Sequence, residues 1–98
     1  MKKDTNLSKK SVVSLKYKKG NDSAPKITAK GKGWVAEKII KMAHENKIPI
    51  REDKDLLNLL SEIDVGQEVP ESLYKVVAEL LAWVYQLNKN YSDSHKSK

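Results

Sequence analysis

The chain has 98 residues, no cysteine, 33% charged residues and a formal net charge of +6. At this length one small domain buries only roughly 60–65% of its unfolded surface, so the core is thin. A disulfide framework and thiol chemistry are excluded, no apolar run approaches the ~20 residues of a membrane span, and no apolar stretch follows the N-terminal lysines as in a secretory signal.

Met1 and Leu7 are the only apolar residues of 1–10, which is expected to be a disordered basic arm. Ser11–Tyr17 is β-branched and aromatic, with Val13, Leu15 and Tyr17 alternating, and predicts a strand. Lys18–Ser23 is a loop by its Gly-Asn-Asp-Ser composition. Pro25 biases Ala24 toward extended backbone and opens a second strand, Lys26–Lys30. Gly31 and Gly33 end it and precede a helix over Trp34–Asn46. In that helix Val35, Ile39 and Met42 form one apolar series and Ala36, Ile40 and Ala43 the next.

Ile48-Pro49-Ile50 predicts a short third strand, joined to the second by a right-handed crossover with the two strands parallel. Asp53 or Asp55 caps a short helix carrying Leu56, Leu57, Leu59, Leu60 and Ile63. Asp64–Val69 is a turn around Gly66, and Pro70 with Glu71 starts the last helix. That helix spans Glu71–Leu87, with Leu73, Val76, Val77, Leu80, Leu81, Val84 and Leu87 on the helical period. Residues 89–98 are expected to be a disordered tail.

The positive charge lies outside this patterned region. Residues 1–20 hold seven lysines against one Asp, and residues 88–98 three lysines against one Asp. Residues 21–87 hold nine Lys or Arg against eleven Asp or Glu, a net of −2. A nucleic-acid-binding domain carries its lysines on the folded surface, so no nucleic-acid partner is expected. The basic arm leaves one alternative function, a nucleic-acid or acidic-surface binding protein.

No catalytic constellation emerges, and the chain is not expected to be an enzyme. His44 sits on the first helix beside Glu45 and His95 in the tail, without metal-ligand spacing. Lys30-Gly31-Lys32-Gly33 before a helix invites phosphate binding, yet it has neither P-loop nor dinucleotide spacing. Glu52, Asp53 and Asp55 are expected as caps and a solvated face. Trp83 borders the apolar stripe of the last helix and is expected to be partly buried. Neither metal nor cofactor is implied.

Several short motifs recur in order. Ala24-Pro25 precedes a strand ending in Ala29-Lys30-Gly31, followed by Asn46 and Ile48-Pro49-Ile50, then Val65-Gly66 and Val69-Pro70. Leu73-Tyr74, Ala78-Glu79 and Leu81-Ala82-Trp83-Val84 complete the set. Together they resemble the C-terminal cytoplasmic domain of the FlhB/YscU family of flagellar and injectisome type III export proteins. The resemblance implies an α/β fold: a small mixed sheet of about three strands surrounded by three to four helices, over residues 11–88. It implies a non-enzymatic, monomeric, cytoplasmic component of the export apparatus, recruited to the inner-membrane export gate, that takes part in substrate recognition or specificity switching. The implied partners are the membrane half of FlhB, export substrates or their chaperones, and a hook-length control protein. It also implies a shallow apolar docking site for substrate motifs at Ala24, Pro25, Ala78 and Leu81; periodicity alone makes Ala78 and Leu81 ordinary core.

One family feature is missing. The family carries Asn-Pro-Thr-His before the first strand, where the Asn amide closes a succinimide on its own carbonyl and breaks the Asn-Pro bond. Leu7, Ser8, Lys9 and Lys10 occupy those positions here. Leu7 has no nucleophile, so no self-cleavage is expected, and with Met1 ahead of it the chain is expected to be a short stand-alone paralogue.

Overall fold

The computed structural model describes residues 9–96, and the side chains of residues 9–89. The order is β1 (Ser11–Lys16), β2 (Lys26–Lys32), α1 (Trp34–Glu45), α2 (Lys54–Ser61), a 3-10 turn (Glu71–Leu73) and α3 (Tyr74–Lys96). β1 and β2 pair antiparallel, with Val13 opposite Lys30 and Leu15 opposite Ile27.

A bulge between Ser14 and Leu15 decides what each face of this ribbon does. Thr28 is the extra residue of β2, and its hydroxyl donates to the Ser14 hydroxyl at 2.9 Å. The bulge offsets the alternation. Ile27 and Lys30, opposite Leu15 and Val13, therefore share one face, while Ala29 and Gly31 share the other. On the first face Ile27, fully buried, meets Leu56 and Leu60 of α2, Val69 and Val77, with Val13 and Leu15 packed against them. Lys30 extends across this face and donates from Nζ to the Ser61 carbonyl at 2.8 Å, meeting an unpaired acceptor at the C-terminus of α2.

The other face carries α1, and contact there requires the absence of a side chain. A Cβ on Gly31 would lie 2.6 Å from Val35 Cγ1, 2.9 Å from Ile39 Cδ1 and 3.0 Å from the Ala36 amide nitrogen. Gly33 caps α1 at φ 58°, a conformation that favours glycine. The Lys30–Gly33 sequence is thus a close-packed strand-to-helix turn. α1 closes with a Schellman turn: the Lys47 amide donates to the His44 carbonyl at 3.2 Å and the Ile48 amide to the Ala43 carbonyl at 2.8 Å. Lys47 holds the left-handed position of this turn at φ 58°. α2 starts as its sequence predicts, with the Asp53 carboxylate accepting the Leu56 amide at 3.0 Å.

The α/β class and the helices match expectation, but the sheet does not. Ile48–Ile50 forms no strand. The Ile48 amide is spent on the Schellman turn and Pro49 has none to give, so two of the three residues have no ladder donor. The parallel crossover falls with it. Gly66–Val69 instead lies along the free edge of β2. The Gly66 amide donates to the Ile27 carbonyl at 2.7 Å, the Ile27 amide to the Gln67 carbonyl at 3.0 Å, and the Val69 amide to the Pro25 carbonyl at 2.8 Å. This makes one antiparallel bridge, Lys26 to Glu68, rather than a named strand. α3 also passes its expected end at Leu87 and continues to Lys96, where a disordered tail is predicted. No Gly or Pro interrupts residues 88–96, so nothing covalent stops the hydrogen-bond ladder. The expected basic arm lies outside the described residues except for Lys9 and Lys10; Lys10 Nζ is 3.1 Å from Glu37 Oε2 of α1.

Charge follows the layers. Residues 26–47, mainly β2 and α1, hold six lysines against two Glu, a net of +4. Residues 48–87, which include α2 and most of α3, hold three cations against eight carboxylates, a net of −5. The two stretches sum to only −1, which conceals a basic segment and an acidic one; Lys30 of the first is turned by the ribbon toward α2.

Candidate functional site

Ala24 and Pro25 enter β2 at its junction with the bridge. Both are buried, Ala24 at 3% exposure. The Pro25 carbonyl is taken by the Val69 amide, and one residue upstream the Ser23 hydroxyl reaches Glu68 Oε2 at 3.1 Å. This dipeptide is therefore clamped by backbone pairing on one side and a side-chain bond just before it. The small Ala24 side chain has no exposed surface to offer a ligand.

Ala78 and Leu81 lie on α3 and behave differently from each other. Leu81 is half-buried against the core cluster that contains Ile27, two residues after Pro25. Ala78 is exposed, although its neighbour Val77 is buried. Tyr74, Ala78, Leu81 and Tyr85 follow i, i+4, i+7, i+11 spacing and make one line along the helix. Both tyrosines are exposed, Tyr85 at 64%. The structure thus brings Leu81 to the core beneath β2, leaves Ala78 on the surface, and places Ala24 and Pro25 inside.

Two clefts open elsewhere, one between α2 and the N-terminal half of α3, the other between α2 and the 3-10 turn. One, of about 180 Å³, is lined by Arg51, Asp53 and Asp55 with Val76, Glu79 and Leu80. The second, of about 730 Å³, runs from Asn58 and Glu62 to Pro70, Ser72 and Leu73. Neither lining includes Ala24, Pro25, Ala78 or Leu81. Arg51 closes the first cleft with its guanidinium 5.7 Å from the centroid of the Trp83 ring, a cation–π distance. Trp83 is half-buried as expected, whereas Trp34 is 58% exposed. The clefts were not anticipated from sequence. The signal available was the clustering of eight carboxylates in residues 48–87, which averaging over the whole patterned region had hidden.

His44 is exposed on α1. Among the described residues no group of three or more His, Asp or Glu could hold a metal ion. No helix among them is long and apolar enough to cross a membrane. Leu7 and Ser8, two of the positions matched to the cleavage motif, lie outside the described residues; Lys9 and Lys10 are exposed.

Comparison with known proteins places this arrangement. YlqH of Bacillus subtilis (strain 168), an uncharacterized protein, is 40% identical over 90 residues, covering 92% of this chain and 95% of YlqH. The flagellar biosynthetic protein FlhB of Yersinia enterocolitica is 46% identical over 78 residues, covering 79% of this chain and 20% of FlhB. The chain thus spans about a fifth of the length of that flagellar relative. The crystal structure of the cytoplasmic domain of FlhB from Shewanella putrefaciens superposes with a TM-score of 0.79 at 32% identity, covering 85% of this chain and 69% of that one. Residues 9–84 match the family described as the FlhB HrpN YscU SpaS Family. By family match, sequence identity and fold, this chain belongs to that family, as a counterpart of its cytoplasmic C-terminal domain.

Proposed function

We propose that this chain is a non-enzymatic binding module of the flagellar type III export apparatus. It supplies or replaces the soluble half of a FlhB-like protein and helps set which substrates are exported. Its partners on this proposal are the membrane half of FlhB and export substrates or their chaperones. The observation that carries the proposal is the line of exposed Tyr74, Ala78 and Tyr85 with half-buried Leu81 on α3, set against a core that holds Ala24 and Pro25 in place. A short hydrophobic motif laid on that line gains about 25 cal/mol per Å² of apolar surface buried. Ala78, having almost no side chain, leaves room for it.

Motility is the direct test. This chain, expressed beside an FlhB truncated before its soluble domain, is expected to restore swimming; absence of both rescue and binding to the truncated partner overturns the proposal. At the level of one residue, Ala78→Asp places a carboxylate that a docking motif must desolvate. It is expected to abolish substrate pull-down while circular dichroism stays unchanged, because Ala78 is exposed. Ala24→Asp is expected to unfold the domain instead, since Ala24 is buried. A folded Ala78→Asp protein with normal pull-down moves the docking site elsewhere.

Self-cleavage has no part in this function. The succinimide route needs an Asn side-chain amide in a strained turn, and Leu7 offers none. Intact mass is expected to remain constant over days at mild pH, and a break between residues 7 and 8 would contradict this.

A further inference from the structure

The cleft between α2 and α3 and the cleft between α2 and the 3-10 turn adjoin along α2, where Asp55 and Leu59 line both and make them one groove surface. Its floor is aliphatic. Leu56 is buried at the back, Val76, Leu80, Ile63 and Leu73 are half-buried along it, and Leu59 stands 45% exposed at the join. Carboxylates frame this floor: Asp53, Asp55, Glu62 and Glu79. Arg51 is the single cation among the lining residues, and it is held over Trp83. The whole segment 48–87 is net −5. An apolar trough in an acidic frame repels phosphate and anionic headgroups, and it complements an apolar side chain flanked by cations.

We propose that this groove docks a short basic, leucine-bearing peptide segment of a partner protein, leucine on the floor and lysine or arginine against the carboxylates. The site is separate from the Ala78 line. Val76 and Leu80 each lie two residues from Ala78, which puts them about 160° around the helix from it. Glu62 and Glu79, both exposed, set the polarity of the two ends of the groove.

Trp83 supplies the reporter. In the full chain carrying Trp34→Phe it is the only tryptophan, and its ring touches the groove through Arg51. The probes are three short synthetic peptides: leucine and lysine at helical spacing, the same with glutamate for lysine, and the same with glycine for leucine. The leucine–lysine peptide is expected to give a saturable change in Trp83 emission, and the other two none. Glu62→Lys with Glu79→Lys is expected to weaken binding by about tenfold or more, with the melting curve unchanged, since like charges then face each other. Ala78→Asp is expected to leave this binding intact. Equal binding of the glutamate peptide, full affinity in the charge-reversed protein, or loss of binding in Ala78→Asp each overturns the proposal. So does concentration-dependent self-association lost on charge reversal, which assigns the groove to the basic α1 layer of a second copy.

Discussion

The two faces of the β-ribbon are packed by opposite means. Toward α2 and α3, contact is made by large aliphatic side chains around the fully buried Ile27. Toward α1, contact is made by removing side chains, with Gly31 beneath Val35 and Ile39. One face draws its cohesion from apolar area withdrawn from water, the other from backbone approach and tight van der Waals contact. They differ in surface as well: the α1 side is basic and exposes Trp34, Val35 and Met42, the α2–α3 side is acidic and grooved. A thin two-stranded ribbon can therefore carry two unlike surfaces, because each face is specified separately.

Truncation on the aliphatic face is expected to do the most damage. Ile27→Ala removes a fully buried side chain from the centre of the cluster and is expected to destabilise by about 2–5 kcal/mol. Urea unfolding measures this, and a loss under ~1 kcal/mol would mean the site collapses readily around the gap. On the opposite face the damage comes from addition. Gly31→Ala is expected to lose about 1–3 kcal/mol through overpacking. Val35→Ala in the same chain should recover part of that loss, because it removes the closest atom while the Ala36 amide still crowds the new methyl. Should Gly31→Ala melt like the parent, the contrast between the two faces fails. The smallest effect is a gain. Lys47→Gly relieves a left-handed backbone outside both packed faces and is expected to stabilise by up to about 1 kcal/mol. In a domain of this size that is a rise in melting temperature of roughly 4–8 °C.

The legibility of the chain varied with the range of the interaction. α1 and α2 were readable because their signals are local: Gly33 before Trp34, Asn46 after Glu45, and Asp53 three residues before the amide it caps. The third strand was misplaced because Ile48-Pro49-Ile50 is β-like in composition, yet its donors were already used or missing. Nothing near Gly66–Val69 announces that its amides will meet Pro25 and Ile27, some forty residues earlier. The four residues that the resemblance implies as a docking site divided along the same line. Their membership in a family pattern was legible, but burial of Ala24 depends on the distant segment that pairs beside it, and exposure of Ala78 on which flank of α3 the core selects.

By itself, then, the sequence determined the family and helices α1 and α2 with their ends, since each rests on residue identity or on spacing within a turn or two. Tertiary structure alone decided which face each residue of β2 serves, because one bulge at Ser14 shifts the alternation of the strand. It also decided that a net of −2 would become a basic layer and an acidic groove. Charge adds along the chain without regard to position, whereas the field at a surface depends on which side of the ribbon each helix packs.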